Sequence, residues 1–258
     1  MSTEALLVKD LCKTYIANKI PLNVLRNVNF SISRGDFVAI MGPSGSGKST
    51  LLYTVSGMDT ITSGEVVFAG TSIEKQNENQ MADLRLNEMG FVFQQMHMLR
   101  NLTVFDNIVI SAYNSVKGRT SAQRKAINEK ARELMHKFDI LEIADKDITE
   151  VSGGQLQRAC ICRALINEPK MIFADEPTGS LHSKAAAEVM NKFNEMNNEG
   201  ATILLVTHDI KVAARTDKIL FIVDGNIQGE LALGKYKATD DQKEKEKMVS
   251  SWLVNMGW

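Results

Sequence analysis

Gly42-Pro43-Ser44-Gly45-Ser46-Gly47-Lys48-Ser49 fits the pattern G-x-x-x-x-G-K-[ST]. The small residues let successive backbone N–H groups turn inward around phosphate oxygens. A helix beginning at the end of the loop presents its positive N-terminus to the same anion. Lys48 then neutralises the β- and γ-phosphates, and the Ser49 hydroxyl ligates Mg²⁺. The flanks agree with this reading. Phe37-Val38-Ala39-Ile40-Met41 is a compact apolar run bounded by Gly35 and Gly42 and reads as a buried strand, while 50–56, starting at Thr50, reads as a helix. A Gly/Ser turn carrying a surface lysine needs neither flank.

Further runs resemble the first one. Glu65-Val66-Val67-Phe68-Ala69 and the segments 90–93, 171–174, 202–206 and 218–223 are short and apolar. Such runs, separated by helical patterns, predict an α/β sheet covered on both faces. The stretch 103–166 lacks good strand candidates and reads as a helical subdomain inserted into that core. Within it, 121–138 carries Ala126, Ile127, Ala131, Leu134, Met135 and Phe138 on one helical stripe. Residues 239–258 form a separate tail: a mixed-charge run, then Met248, Val249, Trp252, Leu253 and Met256 at helical spacing. That helix either packs on its own domain or docks a partner.

Composition narrows the class. The chain has 258 residues, 44% hydrophobic, with 30 basic and 31 acidic side chains. A formal net charge of -1 gives no general affinity for nucleic acid. Three cysteines, Cys12, Cys160 and Cys162, are no disulfide framework. They read as buried thiols. No apolar run approaches the roughly 20 residues that cross a bilayer. Met1-Ser2-Thr3-Glu4 has no basic region followed by an apolar one, so no secretory signal is expected. A cytoplasmic protein follows, with any membrane role exercised through a partner.

Met171-Ile172-Phe173-Ala174-Asp175-Glu176 predicts a buried strand ending in two acids. Carboxyl ends of strands are where ligands bind in open α/β sheets. Asp175 is placed to hold Mg²⁺, directly or through water, and Glu176 to polarise the water that attacks a γ-phosphate.

Val151-Ser152-Gly153-Gly154-Gln155, followed by Leu156-Gln157-Arg158, closely resembles the signature motif of ATP-binding cassette (ABC) proteins, with Val151 where leucine is usual. Ser152 and the glycine N–H groups at a helix start make a second anion site. In the family that site takes the γ-phosphate held by the opposite subunit. The resemblance covers nearly the whole chain. It implies a P-loop NTPase core of the α/β class with an antiparallel β subdomain and the inserted helical subdomain. On this reading residues 1–238 are the ATP-binding domain. Tyr15 resembles the aromatic that stacks on adenine. Gln94, after Gly90-Phe91-Val92-Phe93, resembles the glutamine that senses Mg²⁺ and the attacking water. His208, in Val206-Thr207-His208-Asp209, resembles the switch histidine that contacts the γ-phosphate. One position departs from the pattern: Ser180-Leu181-His182 stands where the family usually has Ser/Ala-Leu-Asp. An imidazole in place of that anion is expected to weaken coupling between sites or make it pH-sensitive.

The family resemblance further implies ATP and Mg²⁺ as ligands and a second copy of the chain as partner, closing an ATP sandwich. It also implies a separate integral membrane permease, which places the subunit on the cytoplasmic face of a bacterial membrane. In detail the chain is similar to the macrolide-exporter, lipoprotein-release and antimicrobial-peptide-resistance branch. Ile40-Met41-Gly42, Phe91-Val92-Phe93-Gln94 and Phe173-Ala174-Asp175-Glu176-Pro177-Thr178-Gly179 carry that likeness, and the C-terminal Trp252-Leu253-Val254-Asn255-Met256-Gly257-Trp258 leans it toward bacitracin or lantibiotic resistance. A lipoprotein-release or cell-division complex with a regulatory role is the alternative. Met96, Met98, Leu99 and Leu102 form a soft apolar cluster that either meets the permease or packs internally.

Overall fold

The computed structural model describes residues 4–115, 118, 120–237 and 239–258. Met1, Ser2 and Thr3 of the expected leader-free N-terminus lie outside these residues. So do Val116, Lys117 and Arg119 of the helical stretch, and Ala238 at the expected domain end. The chain forms two compact units, Met1–Met81 with Asn194–Trp258, and Ala82–Phe193.

The first unit holds an antiparallel sheet and a largely parallel one. β1 (Glu4–Ala17) and β2 (Ile20–Ser33) form a long hairpin. Its two-residue turn, Asn18-Lys19, has φ of 52° and 66°, the pair of left-handed residues that match strand twist in a tight hairpin. β4 (Ser63–Phe68) and β5 (Thr71–Ser72) extend the sheet in the order β2-β1-β4-β5. Neither β1 nor β2 is marked by regular alternation. Register shifts lie between Val8 and Leu11 and between Leu11 and Lys13, and Asp10 and Asn27 sit at φ of 49° and 53°. Such bulges break the period of two that marks a half-buried strand.

β3 (Phe37–Met41) is buried at every residue and pairs in parallel with β8 (Ile203–Val206) and β9 (Lys218–Val223). β10 (Asn226–Ala232) joins β9 antiparallel. Phe37, Ile40, Leu205 and Phe221 in these strands are fully buried. Fully burying such side chains is worth about 1.5–3 kcal/mol each. The helix α1 (Lys48–Val55) follows β3 after the phosphate-loop sequence. The four-residue helix α7 (Ile210–Ala213) follows β8, and α8 (Gln242–Asn255) forms the tail. Asp241 caps α8, accepting from Lys243 N at 2.9 Å. Val249 and Leu253 are buried, and the Trp252 and Trp258 rings lie 6.0 and 5.6 Å from that of Phe221. Val249, Trp252 and Leu253 of the tail's apolar stripe are thus spent on its own unit, while Met248 is 49% exposed.

The second unit is mainly helical. α2 (Glu78–Glu88) leads into it, and α6 (Ser183–Asn198) leads out. β6 (Met89–Phe93) and β7 (Met171–Asp175) pair in parallel with Phe93 opposite Asp175. α3 (Val104–Asn114), α4 (Ser121–Lys137) and α5 (Gly153–Leu165) pack together, and the expected 103–166 stretch lies inside this unit. α4 opens with a capping box between Thr120 and Gln123, and Ile127, Ala131 and Met135 are its buried residues. Phe138, just past its end, is buried as well. Cys160 and Cys162 are both buried in α5. Burial pushes the Cys160 thiol up to about 11 against the pull of Arg163, and raises Cys162 further. Thiols so held are inert toward metal or redox chemistry.

Candidate active site

The phosphate-loop sequence, 42–49, lies in the first unit and runs from the end of β3 into α1. Gly45 and Gly47 stand at φ of 79° and 101°, conformations that turn neighbouring N–H groups to one side and strain any residue with a Cβ. Gly47 caps α1, and Leu51 N donates to its carbonyl at 2.8 Å. A Cβ at Gly42 would lie 2.0 Å from Ile222 O, so only glycine lets the chain pass β9 there. Lys48 Nζ arches back to donate to Gly42 O and Pro43 O, each at 2.8 Å. This folds the ammonium over the mouth of the loop. Pro43 and Ser44 are exposed on that loop, and Ser49 and Thr50 lie in the first turn of α1. The Ser46 hydroxyl is buried and has no hydrogen-bond partner among the described residues. A buried polar atom of this kind fits a loop that takes a hydrogen-bonding group.

His208 belongs to the same edge. β3 and β8 are parallel neighbours with Ile40 opposite Val206, and Thr207 N donates to Ile40 O at 3.1 Å. The loop after Met41 and the exposed His208 therefore leave adjacent strands at their carboxyl ends, the position where such sheets bind ligands. Asp209 beside it caps α7 by accepting from Lys211 N at 2.8 Å. Tyr15, 39% exposed at the end of β1, donates its hydroxyl to Asp59. Burial, then the Asp59 carboxylate, hold the Tyr15 phenol above its ordinary range.

In the second unit, Gln94 follows β6 and Glu176 follows β7, so both leave one edge of a parallel pair. An ideal Cβ on Gly179 would lie 2.9 Å from Gln94 Nε2 and 3.1 Å from Glu176 Oε2. Gly179 thus leaves room for the two predicted catalytic side chains to share one place. Glu176 itself sits at φ 45°, a left-handed conformation uncommon for a residue with a side chain. Such outliers cost about 1–3 kcal/mol and gather where function over-determines the backbone.

Ser152 is the N-cap of α5. Its hydroxyl accepts from Gln155 N at 3.3 Å, and Gln155 Oε1 accepts from Ser152 N at 3.0 Å. Gly153 and Gly154 are the first helical residues, whose N–H groups have no carbonyl within the helix to bond. This end of the helix lines a groove of about 390 Å³ with Arg158, His182 and Glu188. His182 sits just before α6, and its Nδ1 accepts from Ala185 N at 3.3 Å, the part an N-cap carboxylate would take. Arg158 pairs with Glu188 at 3.0 Å.

Two features went unread in the sequence. Gln157 is fully buried, and its Nε2 donates to Phe93 O at 3.3 Å, so the helix that begins at Ser152 is tied to the strand that presents Gln94. Lys13 is buried beside Tyr15 and pairs with Asp59 at 2.6 Å. No local signal marks Lys13, because the register of β1 shifts between Lys13 and Thr14.

The profile of the ABC transporter family matches residues 25–179. Over 226 residues the chain is 40% identical to the bacitracin export ATP-binding protein BceA of Halalkalibacterium halodurans, an alignment covering 87% of each chain. The dimeric structure of MJ0796, a bacterial ABC transporter cassette, is similar at 36% identity and a TM-score of 0.81, over 88% of this chain and 98% of that one. MJ0796 in a dimeric post-hydrolysis state bound to ADP and Pi is similar at 33% identity and a TM-score of 0.79, with the same coverage. A phosphate cradle, a strand-end acid pair and a signature helix on this fold define an ATP-hydrolysing cassette. The chain belongs to the ABC transporter family.

Proposed function

We propose that this ATPase works as one half of a dimer that sandwiches ATP, and that it powers a separate membrane permease which removes or exports amphipathic antimicrobial peptides. The observation that carries the dimer is the pair of unlike phosphate sites in one chain: a cradle built around Lys48, and an exposed helix start at Ser152. ATP on the loop amides and Lys48 of one copy meets Ser152, Gly153 and Gly154 of the other. The dimeric structures of MJ0796 support the arrangement. The similarity to the bacitracin export protein supports the substrate class.

Hydrolysis is phosphoryl transfer to water, driven by positioning and electrostatics. Glu176 orients the water and accepts its proton, Gln94 and His208 complete the shell around the γ-phosphate, and Lys48 balances charge on its oxygens. Tyr15 stacks on the adenine. Ser49, Gln94 and Asp175 supply hydroxyl, amide and carboxylate oxygens, the donors that a hard cation takes. Among the described residues no three His, Cys, Asp or Glu side chains gather as a metal cage. Mg²⁺ usually binds one or two carboxylates plus substrate phosphates. When bound, Mg²⁺ spreads the charge that develops on the phosphates.

The permease would dock on the second unit. Phe91, Phe93, His97, Arg85 and Arg163 line a groove of about 280 Å³ there. Arg163 braces the loop after Gln94, donating to Met96 O at 2.7 Å and His97 O at 2.9 Å. Met96, Met98 and Leu102 are partly exposed and Leu99 is 48% exposed, an adaptable apolar rim. Among the described residues no helix is long and apolar enough to cross a membrane. The membrane association proposed here is through that permease. The test is Glu176→Gln. It should keep ATP affinity, cut hydrolysis by about 10²–10⁴-fold and accumulate an ATP-bound dimer by light scattering. A variant that stays monomeric with saturating ATP, or that turns over normally, overturns the reading.

A further inference from the structure

Lys13 is an expensive residue to place where it is. It is 4% exposed, and a buried ammonium is tolerated only when paired and fully hydrogen-bonded. All three of its donors are used: Asp59 Oδ1 and Thr60 O at 2.6 Å each, and Thr60 Oγ1 at 3.2 Å. The same nitrogen lies 4.7 Å from the centre of the Tyr15 ring, within cation–π range. A ring face occupied by a cation cannot take a base, which leaves the opposite face of a partly exposed side chain for stacking.

Asp59 closes the arrangement. One of its oxygens takes Lys13 and Thr60 N, and the other accepts the Tyr15 hydroxyl, which fixes the ring's direction. Asp59 is in turn tied to α1. Met58 N and Asp59 N donate to Tyr53 O at 2.9 and 3.1 Å, and Tyr53 belongs to the helix whose first residue is Lys48. The pose of the ring is therefore referenced to the phosphate loop through a single helix.

We propose that Lys13 and Asp59 are positioning residues for the nucleotide base: they close one face of Tyr15 with a buried cation and hold the other at a fixed height above the phosphate cradle. This rests on reading Tyr15 as the adenine platform, and it adds what sets the platform's pose. Neither residue touches the nucleotide. Their contribution is to ATP recognition through the base, and not to binding of the triphosphate.

The test uses the full chain and two probes, ATP and inorganic tripolyphosphate, which has the phosphates without the base. Asp59→Asn should raise Kd and KM for ATP by about threefold to tenfold, the worth of one ordinary hydrogen bond passed on through the pose of the ring. Its kcat and its tripolyphosphate affinity should hold. Tyr15→Phe should weaken ATP in the same direction, and the double variant should fall short of the product of the two single effects, because the Tyr15–Asp59 bond is lost in both. Tripolyphosphate affinity falling in parallel with ATP affinity would mean a distorted loop and overturns the proposal. Unaltered ATP affinity in Asp59→Asn overturns it too, while weak ATP binding by Tyr15→Ala would still leave the platform standing. Unaltered ATP affinity in Tyr15→Ala removes platform and proposal together. If Asp59→Asn fails to fold, Tyr15→Phe alone decides, since it cuts the same bond without disturbing the buried Lys13.

Discussion

The loop at Gly42–Thr50 and the helix start at Ser152 use the same physics to different degrees of completion. Both join small residues to a helix N-terminus. The first is a finished cradle, with left-handed glycines, a backbone that tolerates no Cβ at Gly42 and a lysine folded over its mouth. The second has spent its capping side chain on itself. Ser152 and Gln155 satisfy each other, and nothing cationic follows in the first turn. On the function proposed above, the first site holds the triphosphate alone. A site whose serine is busy capping its own helix adds little until a phosphate is brought to it. The contrast suits a device that binds ATP first and closes second.

The contrast can be broken from either side. Lys48→Ala carries the largest expected effect: ATP affinity of the isolated chain falls by about 30-fold to 100-fold with the lost charge-assisted bonds, measured by calorimetry. Ser152→Ala should leave that affinity unmoved and instead abolish ATP-driven dimerisation, read by light scattering. It should also cost about 1 kcal/mol of stability through the lost cap. If Ser152→Ala weakens ATP binding by the isolated chain as much as Lys48→Ala does, the two sites are not unlike and the contrast fails.

Backbone tolerance sharpens it further. Gly42→Ala places a methyl group against Ile222 O and should destabilise the first unit by more than 2 kcal/mol, roughly the cost of overpacking. Gly154→Ala meets Ala185 Cβ at 3.0 Å and should cost about half of that or less, since a helix favours alanine over glycine. Denaturant midpoints of the two variants give the comparison.

The smallest effects are electrostatic. Burial raises the Asp59 carboxyl, but Lys13, Tyr15 and the Thr60 amide outweigh it and hold the group below its usual range. Its stabilisation is therefore complete above the unfolded value near 3.9 and fades as pH falls through the folded one. The stability gap between wild type and Asp59→Asn should narrow below about pH 4. On the other side, His182→Asp keeps an acceptor for Ala185 N and adds a charge that a helix start favours. It should raise the melting point slightly, by up to about 1 kcal/mol of stability.

Much of this was readable from the chain because its chemistry is contiguous. The phosphate loop, the acids after β7 and the capping sequence at Ser152 each lie within a few residues, and the strands beside them are unbroken apolar runs. What was hidden is non-local or irregular. β1 and β2 escape a period-two reading because Asp10 and Asn27 bulge out of it. β10 has no buried residue to betray it and alternates only between exposed and half-exposed positions. The Lys13–Asp59 pair spans 46 residues, and nothing near either residue announces the other. The tail shows the reverse case. Its stripe was plain in the sequence, but only the rings of Phe221, Trp252 and Trp258 show where part of it is spent.

The backbone at Glu176 has a cost that its side chain hides. A left-handed turn is one that glycine adopts freely and asparagine tolerates, whereas glutamate is driven into it. Putting glycine there would relax the main chain while deleting the group proposed to handle the water. The resulting polypeptide should outlast the natural one on heating and hydrolyse almost nothing. Durability and chemistry compete at a single residue, and in this chain the chemistry has prevailed.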